Sequence, residues 1–357
     1  MALQLLAFLL ILSLMMVLHE LGHFITARRA GIVVQEFGFG LPPRLFGIER
    51  GGVIYSLNLI PFGAFVKMLG EEDPTEPGSF ARKSKLTRAI VLVAGSGMNF
   101  LLAVAAFGLA FMTGWPSPVE NEVQIVRVVE GAPAAQAGFR EGDRVVSMAG
   151  RPINRVDDFR GITQENLGRP IQVVVVRDGR ELTLSVTPRV NPPDGQGAIG
   201  VAIAPPTRSQ PHGPLESLVF GFERTIQIIL LTLAAPIQVL RGAVPAELVR
   251  PIGLPGMAQV AGDAAQAAVN TGAWFPLLTV TGTFSAGLSI ANMLPIPALD
   301  GGRLLFVLIE AIRGRRVSPD RENMFHFVGI VVLITLMVLI SLNDISNPLP
   351  SIDWGPR

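Results

Sequence analysis

Long apolar runs separated by charged connections dominate the hydropathy pattern of the chain. Four stretches reach the roughly 20 apolar residues that a helix needs to cross a bilayer: Leu3–Ile25, Ala89–Trp115, Gly272–Leu294 and Phe325–Leu342. A fifth, Thr225–Leu240, is shorter, contains Pro236 and is flanked by Glu223, Arg224 and Arg241. It reads as a helix lying at the interface or packed on the protein. Between the second and third spans the pattern changes to strand-like runs at Val123–Val129, Asp143–Met148, Ile171–Arg177 and Glu181–Val186, the last two joined by an Asp178-Gly179 turn signal. The stretch from Gly131 to Asp143 predicts a short helix and a tight turn, and Val156–Leu167 a second helix. Near the N-terminus, alternation over Val53–Leu59 predicts a membrane-associated hairpin at about 51–68. Pro/Gly-rich stretches at Pro192–Gly197 and Pro205–Pro214 read as linkers.

Composition agrees with a membrane protein carrying one modest soluble part. Of 357 residues, 49% are hydrophobic and only 16% charged, and a net charge of +1 gives no basis for binding nucleic acid. Basic residues cluster between the first two spans, from Arg28 to Arg88, and between the last two, from Arg303 to Arg321. The positive-inside rule then puts both connections in the cytoplasm, with both termini and the long segment from about Pro116 to Thr271 outside. The apolar N-terminus lacks a basic leader and reads as a retained helix rather than a signal peptide. The expected fold is therefore a polytopic α-helical membrane protein with four transmembrane helices. It carries a membrane-associated β-hairpin and one inserted, mainly β, extracytoplasmic domain. The expected divisions are 1–115 for an N-terminal membrane part, 116–206 for the inserted domain, 207–271 for a linker with an amphipathic helix, and 272–357 for a C-terminal membrane part.

The first span holds His19-Glu20-Leu21-Gly22-His23. Residues four apart share a helical face, so His19 and His23 can hold one zinc ion, with Glu20 beside it as a general base for the attacking water. Ionisable groups are costly in lipid and usually serve a purpose there. No cysteine is present and only two other histidines exist, His212 and His326. Catalytic zinc normally takes three protein ligands, and the best third candidate is Asp300, in Asn292-Met-Leu-Pro295-Ile-Pro297-Ala-Leu-Asp300-Gly301. Pro295 and Pro297 should break the third span and leave extended backbone after Asn292, from which Asp300 reaches the first helix. With four crossings the histidine pair and Asp300 share a leaflet; a crossing by Thr225–Leu240 would separate them. Asn292 is a candidate for holding a substrate carbonyl or oxyanion, or for bonding backbone freed by the prolines. Asn99, in Gly95-Ser-Gly-Met-Asn99, is a candidate for the same role or for a helix–helix hydrogen bond.

The Gly131–Asp143 motif makes the inserted segment resemble a bacterial PDZ domain, with Ala198–Ala202 as the loop and strand of a circularly permuted peptide-binding edge. Ile199, Gly200 and Val201 are its binding candidates. A domain that binds no peptide and only screens substrates by size is the alternative. Together the two metal motifs resemble those of bacterial site-2 proteases of the RIP zinc metalloprotease type, the PDZ-containing regulators of sigma-factor pathways. Supporting matches are Phe37-Gly38-Phe39-Gly40, the Tyr55–Met68 stretch, Ser79-Phe80 and Arg250-Pro-Ile-Gly253. Ala64 and Phe65 stand where Gly and Tyr are common, and Ser96 occupies a usual proline position.

The resemblance implies one zinc ion and hydrolysis of peptide bonds within single-pass membrane proteins that an upstream site-1-type protease has already trimmed. Anti-sigma factors and remnant signal peptides are the typical substrates. It also implies an inner-membrane location with the active site towards the cytoplasmic side, and a hairpin that holds substrate as an added strand. Two rival functions are a zinc transporter, which needs a polar path through both leaflets, and a non-catalytic PDZ scaffold, which has no need of Glu20.

Overall fold

In the computed structural model the chain forms two compact units, one of residues 1–114 and 211–357 and the other of residues 115–210. The structure describes residues 2–352 and 354, except 72, 74, 194 and 246–248.

The larger unit opens with α1, Ala2–Arg29, which carries the His-Glu motif near its C-terminal end. Two long strands follow, β1 (Val34–Arg50) and β2 (Val53–Met68), joined at Gly51 and Gly52, both with positive φ. Register irregularities fold each strand back, so that Phe37 pairs with both Tyr55 and Val66 while Ile48 also pairs with Tyr55. The segment Ala64–Lys67 therefore meets β1 on one side only, at Glu36–Phe39. Such a strand leaves an edge on which another chain can add; at its middle the Val66 amide donates to the Glu20 carboxylate.

Among the described residues, six helices complete this unit: α2 (Lys85–Gly114), α5 (Pro214–Leu240), α6 (Leu254–Thr271), α7 (Phe275–Ala291), α8 (Asp300–Arg313) and α9 (Pro319–Ser346), with α3 and α4 in the other unit. α5, α6, α7 and α9 each begin with proline in the first turn, where its missing amide proton costs nothing. Small residues bring these helices together. A Cβ on Gly22 of α1 would lie 2.7 Å from the Ala94 carbonyl carbon of α2, so only glycine permits that approach. The Ser285 and Ser289 hydroxyls of α7 donate to the Asn99 and Ser96 carbonyls of α2, at 2.8 and 2.9 Å. A buried ion pair, Arg88 to Glu310 at 2.6 Å, ties α2 to α8.

Several sequence expectations change. The hairpin expected at about 51–68 begins at Val34, and the linker expected at Pro205–Pro214 holds a strand, Thr207–Gln210. Among the described residues, four helices are long and apolar enough to cross a membrane, but they are α1, α2, α5 and residues 320–346 of α9. The expected third span, Gly272–Leu294, contains only the 17-residue α7, which starts after Trp274 and stops at Asn292. The Thr225–Leu240 candidate is the C-terminal half of a 27-residue helix that Pro236 does not break. Its upstream half packs on α2, in line with the packed alternative of the two expected for this segment: Phe222 meets Phe100 at 5.9 Å between ring centroids. A Cβ on Gly221 would sit 2.5 Å from the Val104 carbonyl. The sequence reading missed the upstream half because Glu216, Glu223 and Arg224 interrupt the apolar run. Finally, the backbone after Asn292 is folded into tight turns instead of extended. The Ile296 amide donates to Leu294 O at 2.7 Å, and the Gly301 amide returns to Asn292 O at 2.7 Å. Proline forbids helix at 295 and 297 but is well suited to turns.

The smaller unit is a sheet of order β8-β7-β5-β4-β9 with β6 on β5, plus a β3–β10 ribbon. Its strands are β3 (Trp115–Pro118), β4 (Val123–Val128), β5 (Arg144–Met148), β6 (Arg151–Pro152), β7 (Ile171–Arg177), β8 (Arg180–Val186), β9 (Val201–Ala204) and β10 (Thr207–Gln210). Two helices, α3 (Pro133–Gln136) and α4 (Val156–Glu165), accompany them. Alternate residues Val123, Ile125, Val173 and Val175 are fully buried with Met148, Phe139, Phe159 and Ile199. Asp178 and Gly179 both adopt positive φ, as a two-residue hairpin turn requires. Ile199 is buried, Gly200 has φ +81° and Val201 opens β9, which is an edge strand of the sheet.

Asp143 is fully buried and takes two hydrogen bonds from the Arg177 guanidinium, at 2.7 and 2.8 Å, and one from the Arg140 amide at 2.8 Å. Burial alone would raise its carboxyl pKa, but the Arg177 and Arg140 hydrogen bonds outweigh it and hold the value below the usual range. The stabilisation is therefore complete above the ordinary aspartate pKa of about 3.9 and fades as pH falls through the lower folded value. Asp143→Ala should cost about 2–3 kcal/mol, the scale of hydrogen bonds to a charged group. It should also flatten the acid limb of the unfolding curve of this unit, measured by hydrogen exchange in the full chain.

Candidate metal centre

The His-Glu motif faces α2 because residues 91, 95 and 99 of that helix lie on the side that packs against α1. His23 Nδ1–H donates to the Val91 carbonyl at 2.8 Å, which fixes that proton and leaves Nε2 with a free lone pair. His23 Nε2 then lies 3.1 Å from His19 Nε2. Asp300 is the first residue of α8, where the amides of the opening turn favour a carboxylate. Its Oδ2 lies 3.1 Å from His19 Nε2 and 3.2 Å from His23 Nε2. Two segments separated by 277 residues are thus brought to one point.

These residues fit a single divalent ion. Three atoms spaced at 3.1–3.2 Å can all lie about 2.0–2.2 Å from one common point, the usual reach of zinc to nitrogen and oxygen. Two imidazole nitrogens and a carboxylate oxygen are also a donor set of the right chemistry. Two further observations agree. A Cβ on Gly95 would overlap His23 Nε2 and lie 2.7 Å from His19 Nε2, so only glycine leaves this space open. The fully buried Asn99 has an amide nitrogen 3.3 Å from His19 Nδ1, and its Oδ1 has no partner among the described residues. The two ends of an amide exchange by a half-turn. With His19 Nε2 committed to a metal, Nδ1 carries the proton and the Asn99 oxygen becomes its acceptor.

Glu20 shares a cavity of about 180 Å³ with His23 and Asp300. Its other walls are Phe65, Val66 and Met68 of β2, together with Leu92, Glu71 and Arg303. Arg303, one turn beyond Asp300, pairs with Glu71 at 2.6 Å. The volume exceeds several times the roughly 30 Å³ that a water occupies in the liquid. The strand Ala64–Met68 with one open side therefore runs along the wall of the pocket that holds the ionisable groups.

Of the predicted site residues, His19, Glu20, His23 and Asp300 come together here, and Asn99 and Asn292 join them. Asn292 caps α7, and its amide nitrogen is 3.5 Å from His19 Nδ1. Both asparagines thus approach the far side of the His19 ring. Ile199, Gly200 and Val201 belong to the smaller unit. The Val91 carbonyl, Gly95, Glu71 and Arg303 were missed from sequence. The i, i+4 spacing of Gly95 and Asn99 was a usable signal for the glycine; a backbone carbonyl carries none. Asn99→Ala should weaken metal binding about 10–100-fold, the usual cost of losing an outer partner of a ligand, whereas Asn99→Asp, which keeps the acceptor, should retain most of it. Competition with a chromophoric chelator measures both.

Comparison with known proteins agrees along almost the full length. Residues 7–336 match the model of Peptidase family M50. A Clostridium perfringens protein assigned as a zinc metalloprotease is 35% identical over 347 residues, covering 96% of this chain and 98% of that one. The regulator of sigma-W protease RasP of Bacillus subtilis is 28% identical over 426 residues, again covering 96% and 98%. Among solved structures, the PDZ domain of an SdrC-like protein from Listeria monocytogenes covers 25% of this chain and 93% of its own, with 15% identity and a TM-score of 0.22. With its His-Glu motif, its second metal-site segment and the greater part of its apolar helices inside the matched region, the chain is a multi-pass membrane protein that belongs to Peptidase family M50.

Proposed function

We propose that the chain is an intramembrane zinc metalloprotease that hydrolyses peptide bonds within transmembrane segments. The observation that carries this reading is the convergence of His19, His23 and Asp300 at one point, beside a cavity that His23 and Asp300 share with Glu20 and the edge strand Ala64–Lys67. His19, His23 and Asp300 hold the ion. A bound zinc supplies Lewis-acid polarisation of the scissile carbonyl and acidifies the attacking water. Glu20 takes the proton of that water and returns it to the departing amine. Asn99 and Asn292 orient the His19 ring, and Asn292 is the candidate donor to the substrate carbonyl. A peptide bond in a helix is shielded by its own hydrogen bonds, so the substrate must unwind. Pairing with the open side of Ala64–Met68 replaces the lost helical bonds with strand bonds.

The substrates are single-pass membrane proteins whose outer domains another protease has already removed, of the anti-sigma factor or remnant signal peptide kind. The family resemblance implies this substrate class, and the name of the Bacillus relative, regulator of sigma-W protease, supports a sigma-factor pathway. The smaller unit, with the PDZ-type edge at Ile199, Gly200 and Val201, screens or binds trimmed substrates outside the membrane. The active site lies towards the cytoplasm of the inner membrane, as the basic residues between Arg28 and Arg88 support.

The test is purified protein in proteoliposomes with a single-pass substrate trimmed on its outer side. Stoichiometric zinc and cleavage inside the hydrophobic segment are expected. Zinc flux across the vesicle without cleavage, or cleavage that survives complete zinc removal, overturns the reading.

A further inference from the structure

The turn that delivers Asp300 is held from outside by α9, a helix with no part in the site described so far. Ala298, two residues before Asp300, has φ +71°, an uncommon conformation for a residue with a Cβ. Its amide donates to His326 Nδ1 of α9 at 2.9 Å. An amide can only donate, so this ring nitrogen is an acceptor and the His326 proton resides on Nε2. The ring is wedged beside Phe306, on the same helix as Asp300, with centroids 5.7 Å apart. One turn further along α9, Gly329 is buried against Pro297: a Cβ there would overlap the Pro297 Cβ and lie 2.8 Å from its Cγ.

We infer that His326 and Gly329 form a two-point clamp on Pro297-Ala298 and act as positioning residues for the metal ligand Asp300. The hydrogen bond holds the left-handed turn at Ala298, and the close approach at Gly329 sets how far the turn stands from α1. Both act through the backbone, because neither residue touches the His19–His23–Asp300 cluster. The role of Asp300 rests on the function proposed above; the clamp itself is a property of the turn.

Two readouts separate these. In zinc-free protein, amide hydrogen exchange over residues 296–301 should accelerate at least about tenfold in His326→Ala, as expected when a local closing contact is lost. In protein titrated with zinc against a competing chelator, His326→Ala and Gly329→Leu should each weaken binding about tenfold or more, the lower bound for outer-shell partners. His326→Asn places an amide oxygen where Nδ1 stood and should recover both values to within about threefold, since the acceptor is restored. Wild-type zinc affinity and wild-type exchange in both His326→Ala and Gly329→Leu overturn the clamp, as does a His326→Asn variant no better than alanine. Faster exchange in a wild-type background that binds no stoichiometric zinc upholds the clamp and overturns only the metal role of Asp300.

Discussion

Glu20→Gln is expected to retain zinc at wild-type stoichiometry and to lose cleavage of a trimmed transmembrane substrate by about 10²–10⁴-fold, the usual contribution of a positioned general base. That loss corresponds to about 2.7–5.4 kcal/mol of transition-state stabilisation. The direction follows from where the side chain sits. Glu20 lines the cavity shared with His23 and Asp300, whereas the three clustered ligand atoms come from other residues. Glutamine keeps the shape and the polarity of the site but cannot accept the proton. The loss should therefore fall on kcat with little change in KM. Undiminished turnover by Glu20→Gln removes this residue from the reaction, whatever happens to the metal.

Asp300→Ala is expected to lower zinc affinity by more than about 100-fold, since even the outer partners of metal ligands are worth about 10–100-fold. Chelator competition reads the affinity and metal analysis of the purified protein reads the content. Cleavage should disappear in parallel. Two imidazoles alone leave an ion one protein ligand short of the usual catalytic set. Asp300 is also the only carboxylate in the described cluster with both histidines. Asp300→Asn offers a neutral oxygen from the same position and should fall between the two. Full zinc occupancy in Asp300→Ala means that another group completes the site. The neighbouring ion pair between Arg303 and Glu71 gives this experiment an internal control. Glu71→Gln alters a wall of the same cavity and should leave zinc affinity within about threefold, because Glu71 bonds Arg303 and the Met68 amide and not a ligand side chain.

What could be read from sequence was what depends on local spacing. Two histidines four apart share a helical face in any helix, and the stretch around Leu3–Ile25 was apolar enough to be one. Alternation and the Asp178-Gly179 pair likewise placed β4, β5, β7 and β8 of the smaller unit to within about one residue, because period and turn chemistry are properties of short segments. Proline at 295 and 297 marked the end of a helix, but not what followed. The turn is folded because the Asn292 carbonyl is free to receive the Gly301 amide, nine residues on. The extent of α5 was obscured by charges at Glu216, Glu223 and Arg224, which a window average counts against a membrane helix. In the fold, Gly221 and Phe222 dock on α2 and carry the helix past them.

The sequence by itself determined which residues have metal and proton chemistry, and on which local elements they ride. Only the tertiary structure decided that His19, His23 and Asp300 meet, that Gly95 leaves room between them, and that the Val91 carbonyl and Asn99 approach the outer nitrogens of the two rings. The physical reason is that these contacts join segments up to 277 residues apart. They arise from close helix packing at small residues and from backbone groups that every residue carries, so no spacing along the chain encodes them.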